Sequence, residues 1–294
     1  MLYGIGKDVS TAKNSVEAME LSGLDWTVSS KKISVEGMEV PGYIANVKSD
    51  GKVLGVVSEQ YKIIQNSEAF SFADILTDQI QYETAGSINN ERKVWLAAKY
   101  HDIDILGQKV ENYLVFSNCH DGKGSIRITI IPVMTTNGNP MNIPLKSSNR
   151  SLSTTHYGDI NKKMEQAIET LNFSENYLAD LVLEAERLSN ILISEKQKNG
   201  FIEKLFPIDP QDGDRKIDNI KDLRTTLENC INQVDYYENT AWQLINGVSM
   251  LVANIQPKRS SETFFEKKFN NIINGDTLID KAYKILKVKH VEER

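Results

Sequence analysis

The segment NYLVFSNCHDGKGSIRITIIPVM, residues 112–134, decides the fold class, because it joins two apolar runs through a short polar stretch. The runs NYLVFSNC (112–119) and GSIRITIIPVM (124–134) are rich in Ile, Val, Tyr and Phe, as β-strands are. The stretch HDGKGS that joins them contains Gly122 and Gly124, either of which would supply the positive φ angle of a tight turn. The segment therefore predicts two consecutive antiparallel strands.

Segments on the N-terminal side of this pair have mostly strand character, with two short helices among them. The strand candidates are residues 25–35, 42–58 (a hairpin with its turn at 49–51), 82–89 and 93–106 (with a bend). The helix candidates are residues 15–23, ended by Gly23, and 67–80, with Ser67 as its N-cap. Strands at this density, with few helices between them, predict a largely antiparallel sheet.

The pattern changes to helical after about residue 159. Residues 160–200 space their apolar side chains at helical intervals, and Gly200 is predicted to end this helix. A second long helix is predicted over about 217–255, ended by Pro257. Two long helices joined by a loop predict a helical hairpin that buries its apolar stripes.

The predicted fold class is therefore α+β. Residues 1–158 are expected to form a sheet-rich domain with short helices, and residues 159–294 a region of long helices that packs on it or extends from it. Hydrophobic residues make up 40% and charged residues 25% of the 294, as in soluble globular proteins. No apolar run approaches about 18 residues and no secretory signal is visible, so a cytoplasmic protein without membrane partners is expected.

Charge is unevenly distributed along the chain. The net charge is −6, yet no Asp or Glu stands between Gly122 and Gly158, where four basic residues give +4. This window is either a strand-and-loop region whose surface lacks acids or a local site for polyanions. The residues predicted to bind nucleic acid are Lys123, Arg127, Lys146, Arg150, Tyr157, Lys162 and Lys163. The basic side chains would neutralise phosphates, and Tyr157 would stack on a base.

The HDGKGS stretch does not match the common catalytic or ligand-binding motifs. It leads into a strand, and Ser117 stands where a P-loop has its first glycine. Cys119, His120 and Asp121 are consecutive, so on a strand they point to alternate faces and cannot chelate one ion or form a nucleophile–base pair. We therefore expect a structural turn with no metal, no cofactor and no enzymatic activity. The remaining alternative is a hydrolase whose active site contains these three residues.

Five blocks of the sequence occur in the order of a known family: LDWTV (24–28), LGVVSEQYKIIQNSEAFSFADIL (54–76), YLVFSNCHDGKGSIRITIIPV (113–133), HYGDINKKMEQA (156–167) and TAWQLINGV (240–248). Through these blocks, most of the chain resembles the phage/plasmid-like proteins of domain-of-unknown-function family 932. Where the family reads approximately P-V-R-V-V-C-x-N, Met134 and Asn137 occupy the Arg and Cys positions. The resemblance implies a mobile-element protein of a bacterial cytoplasm, and it implies no particular activity.

Two functions fit these observations. The first is binding of single-stranded DNA as a recombination or replication accessory, similar to single-strand annealing proteins, which combine an antiparallel sheet with helices and assemble into rings or filaments. The second is an interaction protein that binds or inhibits a host or anti-phage defence protein, which the acidic remainder of the chain favours. Long helices suit self-association, so a homo-oligomer is expected.

Overall fold

The computed structural model describes residues 6–76, 78–123, 126–134, 150–154, 160–254, 266–267, 269–271, 273 and 275–288. The strands are β1 (Lys7–Asp8), β2 (Val28–Val35), β3 (Met38–Lys48), β4 (Val53–Ser58), β5 (Gln81–Ile88), β6 (Lys93–Lys99), β7 (Ile103–Ile105), β8 (Gln108–Cys119), β9 (Ile126–Met134) and β10 (Ser151–Thr154). The helices are α1 (Ser15–Ser22), α2 (Asn66–Asp74), α3 (Ile160–Ser189), α4 (Glu195–Leu205), α5 (Asp214–Asn232), α6 (Ala241–Asn254) and α7 (Thr277–Val288). The described residues between 266 and 273 are also helical.

The main sheet confirms the predicted α+β class. Its strand order is β1-β5-β6-β8-β9-β10, with β7 also paired to β8, and each of these pairs is antiparallel. The segment 112–134 forms most of β8 and all of β9, and Gly122 between them has φ 75°. The bend predicted within residues 93–106 separates β6 from β7, and both of these strands pair with β8.

A smaller sheet of order β2-β3-β4 packs against the turn between β8 and β9. A Cβ atom on Gly55 would lie 2.6 Å from the Asp121 Cα atom, so this close approach requires glycine. The Asn46 side-chain amide on β3 donates a hydrogen bond of 2.8 Å to the His120 carbonyl. The small sheet is therefore attached to the β8–β9 turn by a close backbone contact and by a buried hydrogen bond.

The two faces of the main sheet carry two separate apolar clusters. The larger cluster lies between the sheet and the helices, and includes Leu114 and Phe116 from β8 with Trp242 from α6. On the opposite face, Trp95 packs against Phe269 with their ring centroids 5.2 Å apart. Each such fully buried side chain contributes about 1.5–3 kcal/mol of hydrophobic stabilisation. None of the described helices has both the length and the apolar character needed to cross a bilayer.

The predicted hairpin of two long helices is not confirmed. The first helix, α3, ends at Ser189, and Gly200 lies inside α4 instead of ending a helix. One helix was predicted over 217–255, but two helices are present: α5, which begins at Asp214, and α6. The helix predicted over residues 67–80 is α2, and its N-cap is Gln65 instead of Ser67. The Gln65 backbone N–H donates to the Glu68 carboxylate at 2.8 Å.

The break between α5 and α6 has a tertiary cause. The Ile193 amide donates to the Asn239 carbonyl at 2.7 Å, and the Ala241 amide donates to the Ile191 carbonyl at 3.0 Å. Tyr237 and Asn239 have φ angles of 52° and 58°, which do not occur in a right-handed helix. Backbone pairing with a distant segment therefore replaces helical hydrogen bonds here.

The proposed division into domains at residue 158 stays a prediction.

Candidate nucleic-acid interface

The seven residues predicted to bind nucleic acid are only partly within the described chain. Lys146 and Tyr157 lie outside the described residues. Lys162 and Lys163 lie within the backbone of α3, and their side chains are outside the described part. The structure describes the side chains of the remaining three, Lys123, Arg127 and Arg150.

Arg150 is directed into the protein. Its Nη2 atom donates a hydrogen bond of 2.9 Å to the Ile273 carbonyl, at the end of the helical segment that covers the second sheet face. Burial raises the pKa of Asp280 on α7, and the nearby Arg150 charge partly offsets that rise. These contacts give Arg150 a role in fixing the C-terminal segments, so we do not count it as part of a DNA-binding surface.

Lys123 and Arg127 lie together at one end of the main sheet, and the strand register adds a third cation. Lys93 on β6 is directly opposite Cys119 on β8, and Arg127 on β9 is directly opposite Ser117. Because residues two apart on β8 point to the same side, Lys93 and Arg127 share one face. Lys123 is exposed in the adjoining turn.

Arg92 is the next basic residue along the chain, and its side chain is exposed in the turn immediately before β6. The turn that carries Arg92 is joined to the β8–β9 turn, because the His120 amide donates to the Arg92 carbonyl at 2.8 Å. We refer to Arg92, Lys93, Lys123 and Arg127 as the cationic end of the sheet.

Lys93 is the most constrained member of the cationic end. Its Nζ atom lies 3.4 Å from the Asn270 side-chain oxygen and 5.3 Å from the centroid of the Phe269 ring. Burial lowers the pKa of Lys93, and the Arg127 charge lowers it further, against the opposing fields of acids nearby. Within the described part of the chain, no carboxylate forms an ion pair with Lys93. An anion bound beside it would therefore stabilise its charged form.

Three acidic residues of the described chain lie close to the cationic end: Glu91, Asp121 and Glu266, the last of which raises the pKa of Lys93 through its field without an ion pair. Glu91 accepts hydrogen bonds from Lys48 at 2.7 Å and from Lys52 at 2.8 Å, and the Lys48 bond is the largest of the effects that lower the pKa of Glu91. The Asp121 carboxylate accepts a hydrogen bond of 2.9 Å from the Lys123 amide, which shapes the turn. These contacts leave the Lys123 and Arg92 side chains directed to solvent.

The described part of the HDGKGS stretch, residues 120–123, bends away from the end of β8 with a positive φ at Gly122, and it begins with a buried histidine. His120 is 1% exposed, and its Nε2 atom lies 2.8 Å from the Asn66 side-chain oxygen at the start of α2. The His120 ring also packs on Trp26, with ring centroids 5.3 Å apart. His120 therefore connects the β8–β9 turn to α2 and to the segment that precedes β2.

Cys119 and His120 are not arranged as a nucleophile and a base. Cys119 lies on the Lys93 face of the sheet, whereas His120 points to the opposite side, where it contacts Asn66. Burial raises the pKa of the Cys119 thiol, which is opposite to the shift that activates a catalytic cysteine. Among the described residues, no three His, Cys, Asp or Glu side chains are grouped as metal ligands.

The raised pKa of Cys119 predicts slow alkylation at neutral pH. Because the thiolate is the reactive form, the Cys119 rate at pH 8 should lie below that of a free cysteine and should keep rising above pH 9. The measurement is the iodoacetamide rate against pH for the Cys230→Ser variant, with Cys119→Ser as its control. A half-maximal rate below about pH 8.5, the ordinary thiol pKa, would indicate an activated thiol and revive the hydrolase alternative.

Sequence reasoning missed Arg92 and Lys93, since both lie outside the acid-free window of Gly122–Gly158. The strand prediction for residues 93–106 began at Lys93, and antiparallel pairing of this strand with residues 112–119 would have placed that lysine beside the β8–β9 turn. The pairing of predicted strands could therefore have identified Lys93 as part of this site, whereas the local charge pattern could not.

The comparisons with known proteins agree with the sequence resemblance. A family model described as Domain of unknown function (DUF932) matches residues 53–272, about three quarters of the chain. The match includes β4 to β10, helices α2 to α6 and the whole cationic end. No curated protein and no solved structure matches the sequence. The chain therefore belongs to the DUF932 family, whose shared domain is of unknown function.

Proposed function

We propose that this protein binds single-stranded DNA as a non-catalytic recombination or replication accessory of a phage or plasmid, in the cytoplasm of the bacterial host. The observation that supports this proposal best is the cationic end of the main sheet, where Lys93 and Arg127 share one face and Lys123 is exposed in the adjoining turn, in a chain of net charge −6. A local cationic group on an acidic body is suited to a polyanion that must be held at one place.

Binding would depend mainly on phosphate contacts. Lys123 and Arg92 are exposed and would meet the DNA backbone first, while Lys93 and Arg127 are half-buried on the adjoining sheet face. Trp95 and Phe269 on that face are each 1% exposed, so they are not available for base stacking. Contacts of this kind neutralise phosphates and release counterions, which makes affinity salt-dependent and largely independent of base sequence. The predicted contacts of Lys146, Tyr157, Lys162 and Lys163 stay predictions.

The test is the paired charge reversal Arg92→Glu with Lys123→Glu, both at exposed positions. We expect affinity for an oligothymidylate to fall roughly 100-fold at low salt, because two phosphate contacts are lost and two repulsions are gained. The slope of log affinity against log salt should decrease by about 1.4, since each single-strand contact contributes about 0.7. Fluorescence anisotropy across a salt series measures both quantities.

A matched control separates a local site from a general charge effect. Arg215→Glu with Lys221→Glu makes the same change in net charge at two exposed positions of α5. This control should weaken binding by no more than a few-fold. An equal loss in both double variants, or a wild-type protein that shows no salt-dependent binding to single-stranded DNA, would contradict the proposal.

A second candidate function, binding of a host or defence protein, is favoured by the β2–β3 hairpin. No residue from 31 to 43 is buried. At the tip of the hairpin, Val35 on β2 is directly opposite Met38 on β3, and their side chains are 60% and 69% exposed. Exposed apolar side chains on a projecting element favour protein contacts.

If this function holds, a partner protein captured from host lysate should stay bound after nuclease treatment. The Val35→Ser, Met38→Ser double variant should fail to capture it. A partner released by nuclease would favour DNA binding instead.

A further inference from the structure

The outer edge of β4 has the properties of a pairing edge. β4 is the last strand of the small sheet, and among the described residues no strand pairs with its other side. Its sequence, VLGVVS, contains no charged residue and no proline. Val53 and Val56 are 53% and 57% exposed. A strand edge of this kind presents unpaired backbone groups and apolar side chains together.

The opposite edge of the same sheet is protected in a way that β4 is not. β2 carries Lys31 and Lys32, and both are exposed. Charged side chains, lysine above all, are a common device against edge-to-edge pairing. Since the two edges belong to one sheet of three strands, the contrast between them identifies β4 as the edge that can accept another strand.

We propose that two copies of this chain pair through β4 in an antiparallel arrangement, forming a continuous sheet of six strands across a two-fold axis. This inference goes beyond the proposed DNA binding and does not depend on it. An interface of this type is isologous, so each contact occurs twice.

The irregularity of β4 fixes the expected register. Asn46 pairs with Gly55 and Val47 pairs with Val53, so Leu54 is an extra residue in β4, as in a β-bulge. We place the two-fold axis at Val56, so that Val56 faces Val56 of the second copy. If Leu54 is also left unpaired between the copies, as it is between β3 and β4, Val53 faces Ser58 of the second copy. The same register places Lys52 opposite Glu59 of the second copy, and by symmetry Glu59 opposite Lys52.

This charge complementarity is the reason for choosing a second copy as the partner. Lys52 and Glu59 lie immediately before and after β4, so two identical strands in antiparallel order match a lysine with a glutamate at both ends. Cross-strand pairs of opposite charge stabilise a sheet, whereas like charges directly opposite destabilise it. Lys52 already contacts Glu91 of its own chain at 2.8 Å, and an ammonium group with three donors can contact a second carboxylate.

Sedimentation velocity of the full chain over a concentration series tests the pairing. The wild-type protein should form a dimer, and Val56→Lys should raise its dissociation constant at least about tenfold, because the substitution places two lysines opposite each other on the axis. Val35→Lys is the matched control, since it makes the same change at an equally exposed valine near the β2 edge, and it should leave the dimer intact. A monomeric wild-type protein would overturn the inference, and so would a dimer that Val56→Lys leaves unchanged.

Cross-linking tests the register itself. Val56→Cys should form a disulfide-linked dimer under mild oxidation, because cross-strand neighbours have the Cα separation that a disulfide requires. Val35→Cys, treated identically, should remain monomeric on a non-reducing gel. Cross-linking of Val35→Cys with none for Val56→Cys would assign the contact to the β2–β3 hairpin and overturn pairing through β4.

Discussion

Gly247→Ala is expected to lower the free energy of unfolding by about 2 kcal/mol or more, even though alanine favours a helix over glycine by about 1 kcal/mol. Gly247 lies in α6 where this helix crosses the end of α5. A Cβ atom at this position would clash with the Ile231 side chain and would lie 2.8 Å from the Ile231 Cα atom. A rotamer change can move the side chain but not the backbone, so α5 must shift away from α6.

Gly200→Ala provides the matched comparison, and its effect should have the opposite sign. Gly200 lies inside α4, and a Cβ atom there would meet no atom within 4 Å. The substitution should therefore stabilise the protein by up to about 1 kcal/mol, the intrinsic difference between alanine and glycine in a helix. Urea denaturation followed by circular dichroism measures both variants. A Gly247→Ala variant as stable as the wild-type protein, or more stable, would contradict the close packing of α6 on α5.

These two glycines show what local sequence can and cannot determine. Apolar spacing predicted one helix up to residue 200 and another from about residue 217, but it gave no information on which glycine faces a neighbouring helix. Gly200 was predicted to end a helix because glycine commonly does so, and it lies inside α4. The break between α5 and α6 was missed for a related reason, since it is stabilised by backbone bonds to Ile191 and Ile193, more than 40 residues earlier.

The sequence predicted the candidate site only in part, as it did the helices. The acid-free window identified Lys123 and Arg127, and the structure places both at one end of the main sheet. Lys93 joins them only through the register of β6 on β8. Arg150 was selected by the same charge pattern, but its contact with Ile273 is 123 residues distant in sequence. Charge composition thus located the region, and strand pairing and long-range contacts decided which cations belong to it.

His120→Ala is expected to destabilise the protein by about 3 kcal/mol. The side chain is 1% exposed, so its removal leaves a cavity between the β8–β9 turn, Trp26 and α2. The Asn66 oxygen, 2.8 Å from Nε2, also loses this donor in a buried position. Loss of packing and loss of a buried hydrogen bond add in the same direction, and thermal or urea unfolding of the variant measures their sum.

His101→Ala separates this effect from a general effect of removing histidine. The His101 side chain is 42% exposed and bonds to the exposed Glu175 at 2.6 Å, so its removal should cost less than about 1 kcal/mol. Asn66→Ala, combined with His120→Ala in a double-mutant cycle, should show that the two losses are not additive. Because the Asn46 amide bonds to the His120 backbone carbonyl, that contact should persist in the variant. If His120→Ala retained wild-type stability and yet lost DNA binding, His120 would belong to the binding chemistry and not to the support of the turn.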